Sequence, residues 1–96
     1  VELIDPRTVL PLDTDTIIAS VAKTGRLLVV DEAFAPASIG AQIAAIQADR
    51  GFDDLDAPIK RIHGAFTPIP YSPSLEAAVV PHPETVAAAV RDLVAE

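Results

Sequence analysis

The chain has 96 residues, of which half are hydrophobic, and it carries a formal net charge of −7 at pH 7. That length suits one domain, and the core must be aliphatic because only 4% of the residues are aromatic. The acidic balance argues against binding to nucleic acid or to an anionic membrane, both of which need clustered Lys and Arg. We therefore expect a basic partner, or a charge that serves solubility alone.

The residue types and segments that the sequence lacks restrict its possible chemistry and cellular compartment. The chain has no Cys, so disulfides and thiolate chemistry are excluded. No apolar run approaches the roughly 20 residues of a membrane helix, and no basic segment precedes a short apolar one as in a signal peptide. The cytoplasm is therefore the expected compartment. The chain also has no Met, so we expect it to be part of a longer protein.

Three strands are predicted. Residues 1–4 alternate apolar and polar side chains and meet a proline at position 6, which predicts a short strand that ends near Asp5. The continuous apolar run at residues 27–30 predicts a strand buried on both faces. Residues 59–62 predict a third strand.

Helices are predicted between the strands and at the end of the chain. The first should begin at Asp13 or Thr14 and end at Gly25, and the second should begin after Ser38 and end at Gly51. Residues 74–78 predict a short helical turn after a proline-rich loop. The last helix should begin near Pro81 or Pro83 and run essentially to the end, with apolar residues at helical spacing.

This alternation of strands and helices predicts a parallel sheet with helices packed on it. Three strands make a thin sheet for that class, which agrees with a chain that lacks an upstream part.

One strand resembles an ATPase motif. Four apolar residues followed by Asp31 and Glu32 look like a Walker B strand, whose acid holds magnesium. The chain lacks the Gly-x-x-x-x-Gly-Lys loop that such sites need, and Gly40 alone makes no dinucleotide fingerprint. A buried strand that ends in a polar loop is the favoured interpretation.

The two histidines, His63 and His82, lack the spacing of a metal site. A turn residue and a helix cap are the favoured interpretations. One hypothesis nevertheless remains open, in which Asp31, Glu32 and His63 form the site of an independent small α/β enzyme or ligand-binding domain.

An acidic cluster at Asp53, Asp54 and Asp56 lies between the second helix and the third strand. It lacks the twelve-residue EF-hand pattern of a calcium loop. A solvated turn and a docking patch for Lys or Arg of a partner both remain open.

A series of short segments is more specific than any single motif. The chain contains, in order, residues 1–8 (Val-Glu-Leu-Ile-Asp-Pro-Arg-Thr), 11–13 (Pro-Leu-Asp), 17–20, 23–27 (Lys-Thr-Gly-Arg-Leu), 29–33 (Val-Val-Asp-Glu-Ala), 40–41, 55–58 (Leu-Asp-Ala-Pro), Arg61, Gly64, 68–71 (Pro-Ile-Pro-Tyr) and Pro81 before an amphipathic helix. Together they resemble the C-terminal domain of the transketolase family, as found in the β subunit of the E1 component of 2-oxo acid dehydrogenase complexes of the pyruvate, branched-chain and acetoin type. The resemblance covers nearly the whole chain.

Two positions depart from the family pattern. Phe66 stands where the family usually has Asp, and Ser38 stands where it usually has a second glycine before the helix.

The resemblance implies a fold for this domain and places catalysis in other parts of the parent enzyme. It implies a three-layer α/β/α domain over residues 1–96 with a mainly parallel sheet, whose first strand and helix lie upstream of this chain. Thiamine diphosphate and magnesium would be bound outside this segment, in a parent oxidoreductase that acts on an oxo group with a lipoyl acceptor. No catalytic, cofactor-binding or metal-binding residue is expected here, and the isolated domain should be inactive.

The resemblance also implies partners. They are the E1 α subunit and a second β subunit in an α2β2 heterotetramer, and the subunit-binding domain of the E2 acyltransferase. E2 docking would fall on Asp56 and, where Glu96 is the native end of the protein, on its terminal carboxylate. The proline-rich loop would pack within the assembly. Transketolase and deoxyxylulose-phosphate synthase share the domain and remain alternatives, although residues 55–58 and 68–71 favour an E1 β subunit.

Overall fold

Helices surround a small parallel sheet in this protein. The computed structural model describes residues 1–68 and 70–96. Its elements are α1 (Thr14–Thr24), β1 (Leu28–Asp31), α2 (Ile39–Gly51), a 3₁₀ helix (Phe52–Asp54), β2 (Lys60–His63), α3 (Pro73–Val79) and α4 (Pro83–Ala95).

The ends of α1 are set by its own flanking residues. Asp13 accepts hydrogen bonds from the backbone N–H and the hydroxyl of Thr16, at 3.2 and 2.6 Å. Gly25 follows with φ of 80°, and its N–H donates to the Val21 carbonyl at 2.7 Å. Only glycine adopts that conformation without strain, so the predicted helix bounds are confirmed.

The start of α2 is built in the same way. The Ser38 hydroxyl accepts from the Ala41 N–H at 3.0 Å and donates to the Ala35 carbonyl at 2.9 Å. The helix ends at Gly51, as predicted. Ile43 is buried, while Ile39 at the start of the helix and Ile46 one turn after Ile43 are half-buried.

β1 and β2 pair in parallel, with Leu28 opposite Lys60 and Asp31 opposite His63. Residues 1–4 form no strand, so that prediction is wrong. A strand needs a neighbour for its N–H and C=O groups, and this segment attaches to a helix instead. The Glu2 carboxylate accepts from the Ser20 hydroxyl and from the Lys23 ammonium, each at 2.6 Å.

Side chains of β1 pack against helices on both faces of the sheet. Val29, only 8% exposed, lies in a cluster with Ile17 of α1 and Ile43 of α2. Neighbouring strand residues point to opposite faces of a sheet. Leu28, next to Val29, lines a cavity of about 240 Å³ together with Leu93 of α4. The fold is therefore three-layered α/β/α, as the resemblance implied.

Burial of β1 is less complete than predicted. Val30 is 46% exposed, so the strand is not buried on both faces along its length. Leu28, two residues earlier on the same face, is half-buried and lines the cavity beside α4, so burial on this face decreases from Leu28 to Val30.

The chain after β2 contains the predicted short helical turn as α3, and α4 begins at Pro83. Ile69, in the Pro-Ile-Pro-Tyr segment that supports the resemblance, lies outside the described residues. None of the helices in residues 1–68 and 70–96 has the length and apolar character needed to span a membrane.

Candidate functional site

Asp56 lies in the loop between the 3₁₀ helix and β2, near the end of the sheet where both strands begin. Its side chain is exposed. Its backbone N–H donates to the Gly25 carbonyl at 2.7 Å, and further along the Lys60 N–H donates to the Leu27 carbonyl at 3.1 Å. These bonds fix the loop against the end of α1.

The Asp56 carboxylate rests on the bare backbone of Gly25. A β-carbon placed on Gly25 would lie 2.2 Å from Asp56 Oδ2 and 2.9 Å from its Cγ. Gly25 is therefore needed twice, once for its positive φ and once for the space that the carboxylate occupies.

Asp53 and Asp54 belong to the 3₁₀ helix that precedes Asp56, and both are exposed. The cluster predicted from the sequence therefore exists as a solvated acidic surface. A basic group that approached it would meet three carboxylates along one short stretch of chain.

Glu96 lies at the end of α4, where Arg26 holds the last turn. Arg26 Nη2 donates to the Glu96 backbone carbonyl at 2.6 Å, and Arg26 Nε donates to the Leu93 carbonyl at 2.9 Å. The last turn of α4 has no basic residue of its own. A guanidinium from the loop before β1 therefore satisfies carbonyls that a helix end leaves without intrahelical partners.

Asp56 and Glu96, the two predicted docking residues, thus bind two adjacent residues of the chain, Gly25 and Arg26. Gly25 supports Asp56, and the next residue, Arg26, binds the backbone of Glu96. No local signal indicates the role of Arg26, because its acceptors lie 67 and 70 positions away along the chain.

A second group of polar residues lies at the opposite end of the sheet, where both strands end. Asp31 Oδ2 accepts from the Gly40 N–H and Oδ1 accepts from the Ala33 N–H, each at 3.0 Å. Both oxygens therefore bind backbone of the same chain, one of them at the first turn of α2. This arrangement supports the structural interpretation of the Walker B-like strand.

His63 packs against the same helix start. Its Nδ1 lies 3.2 Å from the Ala33 carbonyl, so this nitrogen carries the proton and donates. Its Nε2 is buried and has no hydrogen-bond partner among the described residues. A β-carbon on Gly40 would lie 2.7 Å from the ring. His63 is half-buried and is the last residue of β2, not a turn residue.

His82 occupies the cap position of α4, as predicted, but its side chain makes no capping hydrogen bond. Its Nε2 instead contacts the Ala77 carbonyl at the end of α3. Within residues 1–68 and 70–96, no three His, Cys, Asp or Glu side chains come together as a possible metal site.

Comparison with known proteins decides the family. The model of the transketolase C-terminal domain matches residues 1–86. The chain belongs to the transketolase C-terminal domain family. Its fold, a parallel sheet between helices, agrees with that assignment.

Several curated relatives of this domain are β subunits. Over 95 residues the chain is 48% identical to the acetoin:2,6-dichlorophenolindophenol oxidoreductase subunit beta of Bacillus subtilis, covering 99% of the chain and 28% of the relative. Over 90 residues it is 50% identical to the pyruvate dehydrogenase E1 component subunit beta of Rickettsia bellii, covering 94% and 28%. The corresponding subunit of Rhizobium meliloti is 45% identical over 91 residues, covering 95% and 20%. The chain thus spans less than a third of the length of these relatives.

Proposed function

We propose that residues 1–96 form one non-catalytic assembly and docking domain in the β subunit of a 2-oxo acid dehydrogenase E1. The proposed docking partner is the subunit-binding domain of the E2 acyltransferase. One observation carries the proposal: Asp56 and Glu96 flank the same Gly25-Arg26 dipeptide at one edge of the sheet. The names of the relatives, which are E1 or oxidoreductase β subunits, support the parent enzyme.

The remaining features of the parent belong to the same proposal. Thiamine diphosphate and magnesium bind outside residues 1–96, and the parent is a cytoplasmic α2β2 heterotetramer. The α subunit and the second β subunit are then the assembly partners of this domain. The exposed aromatic side chains of Phe66 and Tyr71, which precede α3, suit burial in such an assembly.

Electrostatics favours a basic docking partner. The chain carries −7 overall, and the exposed acids at 53, 54 and 56 concentrate that charge beside β2. Complementary charge raises the rate of encounter and fixes the register of docking. A basic domain is therefore attracted to the edge where Asp56 and Glu96 lie.

The test compares two aspartates of the cluster in the assembled parent enzyme. We expect Asp56→Asn to weaken binding of the E2 subunit-binding domain by about 2–5 kcal/mol, because a basic partner group would stay buried without its acceptor. Asp53→Asn removes the same charge three residues away and should change affinity by less than about 1 kcal/mol. Calorimetric titration at low and high salt measures both.

Equal effects of the two substitutions would contradict the docking role. Asp56 would then be a solvated residue of a turn, and the domain would serve only to hold the E1 subunits together.

A further inference from the structure

We propose that Phe66 is the central side chain of an interface with an apolar, basic-rimmed surface of a subunit that is not a copy of this chain. In the proposed heterotetramer, that subunit is the α subunit. The aromatic surface consists of the exposed side chains of Phe66, Tyr71 and Leu75, together with Phe34, which packs against Phe66. The inference rests on the proposed function and deepens its assembly part, while E2 docking is not involved.

The loop after β2 that carries Phe66 is attached on two sides. The Gly64 N–H donates to the Ala33 carbonyl at 3.3 Å, and the Ala65 N–H donates to the Val79 carbonyl at 2.8 Å. The first bond joins this loop to the loop after β1, and the second joins it to the end of α3. The backbone directly before Phe66 is therefore fixed.

Phe34 fixes the direction of the Phe66 ring. The two ring centroids lie 5.3 Å apart at an interplanar angle of 71°, which is the edge-to-face arrangement that aromatic pairs favour. Phe34 is half-buried, whereas Phe66 is 78% exposed. Because the ring is already held, less side-chain freedom is lost when a partner covers Phe66, and the entropic cost of binding is lower.

The aromatic surface has the composition of an interface core. Tyr71 is fully exposed and Leu75 is 58% exposed. Residues 64–75 contain no charged side chain, in a chain of which 22% of the residues are charged. The centre of a protein interface is depleted of charge and enriched in aromatic residues, and exposed apolar patches mark interaction sites. The partner should therefore offer an apolar pocket at the position of Phe66.

The charges around the aromatic surface argue against a second copy of the chain as its partner. Glu32 lies two residues before Phe34, Glu76 directly follows Leu75, and both glutamates are exposed. Residues 62–90 contain no Lys or Arg. A second copy that met this surface with its own would bring acids against acids, whereas Lys or Arg of a different subunit would complement them. The charges thus favour a different subunit, with cations around an apolar centre.

The experiment compares two exposed phenylalanines in the assembled parent enzyme. Phe66→Asp places a charge in the proposed contact. Phe52→Asp is the matched control, since Phe52 is 69% exposed but lies in the 3₁₀ helix before β2. We expect Phe66→Asp to weaken association of the α and β subunits about thirtyfold and Phe52→Asp to change it less than about threefold. Sedimentation over a dilution series measures the dissociation constant.

Thermal unfolding of both variants is measured in parallel. If Phe66→Asp unfolds at a lower temperature than the control, Phe66→Ala replaces it, because this substitution removes the ring without adding a charge. We expect Phe66→Ala to weaken association of the subunits about tenfold.

Cross-linking identifies the partner directly. The chain has no Cys, so Phe66→Cys introduces one thiol at the centre of the aromatic surface. A benzophenone maleimide attached to that thiol should cross-link to the α subunit on illumination, and peptide mass analysis locates the product. The same reagent on Phe52→Cys should give no cross-link to the α subunit.

Two outcomes would overturn the inference. One is an equal effect of the aspartate substitutions at positions 66 and 52 on association of the subunits. The other is a cross-link from position 66 to a second copy of this chain in place of the α subunit. Failure of the unaltered β subunit to assemble with an α subunit is a separate result, since it counts against the proposed function itself.

Discussion

Short polar side chains determine where the helices of this domain begin. Ser38 bonds to the first turn of α2, and Asp13 does the same for α1. Asp31 adds a carboxylate at the α2 start from the end of β1. Each of these bonds satisfies an N–H that would otherwise have no partner at a helix N-terminus.

The contribution of the Ser38 cap to stability can be measured by substitution. Ser38→Ala should lower the free energy of unfolding by about 1–2 kcal/mol, because the Ala41 N–H loses its acceptor. Ser38→Gly should cost only a few tenths, about 0.3 kcal/mol, since glycine is tolerated at a cap. Urea unfolding of the chain measures both.

Ser72 is the control for this prediction, because it occupies the cap position of α3 without a side-chain capping bond. Ser72→Ala should stay within about 0.5 kcal/mol of the unaltered chain. Equal losses at positions 38 and 72 would show that the cap bond contributes nothing.

The role of a single residue could be predicted from the sequence wherever its bonding partner lies close by in the chain. Asp13, Gly25 and Ser38 could be identified because each acts within four residues of its own position. Arg26 could not, because its role depends on the docking of α4 against β1. Nothing in the neighbouring residues indicates an acceptor almost 70 positions away.

Two carboxylates outside α1, Asp13 and Glu2, bind side chains of this helix and have lowered pKa values. The hydroxyl and N–H of Thr16 hold the pKa of Asp13 below its ordinary value of 3.8. The Lys23 and Ser20 hydrogen bonds hold the pKa of Glu2 below its ordinary value of 4.5. The same contact with Glu2 raises the pKa of Lys23. Ionised Asp13 and Glu2 therefore stabilise α1 and its link to residues 1–4.

This linkage predicts acid sensitivity. A lowered pKa in the folded state gives stability that is present above the ordinary pKa and is lost as the pH falls through the lowered one. Stability should therefore decline below about pH 4.5. Asp13→Asn keeps the cap but removes its titration. Between about pH 5 and about pH 2, this variant should therefore lose less free energy of unfolding than the unaltered chain.

Urea unfolding at several pH values gives the comparison. A decline of the same size in Asp13→Asn and in the unaltered chain would mean that the Asp13 cap does not contribute to the acid transition.

The strand prediction for residues 1–4 shows why elements differ in predictability. A helix pairs its backbone within itself, so its bounds can be recognised from its own sequence. A strand requires a neighbour, and alternation of side chains does not reveal whether one is present. The same reason explains Val30, whose burial would need a neighbouring element that its own sequence does not reveal.

For the whole molecule, the main consequence concerns uncovered surface. In the part of the chain that the structure describes, the sheet has two strands, and each presents one unpaired edge. The large apolar side chains of Val1, Leu3, Phe66 and Tyr71 are exposed as well. Surfaces of this kind promote association unless another chain covers them.

We therefore predict that the isolated 96-residue chain self-associates. The charge of −7 opposes this contact between like molecules, so added salt should strengthen it. Docking of a basic partner should respond to salt in the opposite direction. Sedimentation velocity over a range of chain concentrations, at low and high salt, measures the association.

A single monomeric species at every concentration and salt level would contradict the prediction. It would mean that the strand edges and the exposed aromatic residues are sufficiently protected by the chain itself.

The bonds from Arg26 to α4 also order events during synthesis of the chain. Arg26 leaves the ribosome early, while its two acceptors are 67 and 70 residues behind it. α1, β1 and α2 can all be complete before either acceptor exists. The contact between Arg26 and the last turn of α4 is therefore one of the last contacts within residues 1–96 to form, and a nascent chain that ends before residue 93 has neither acceptor.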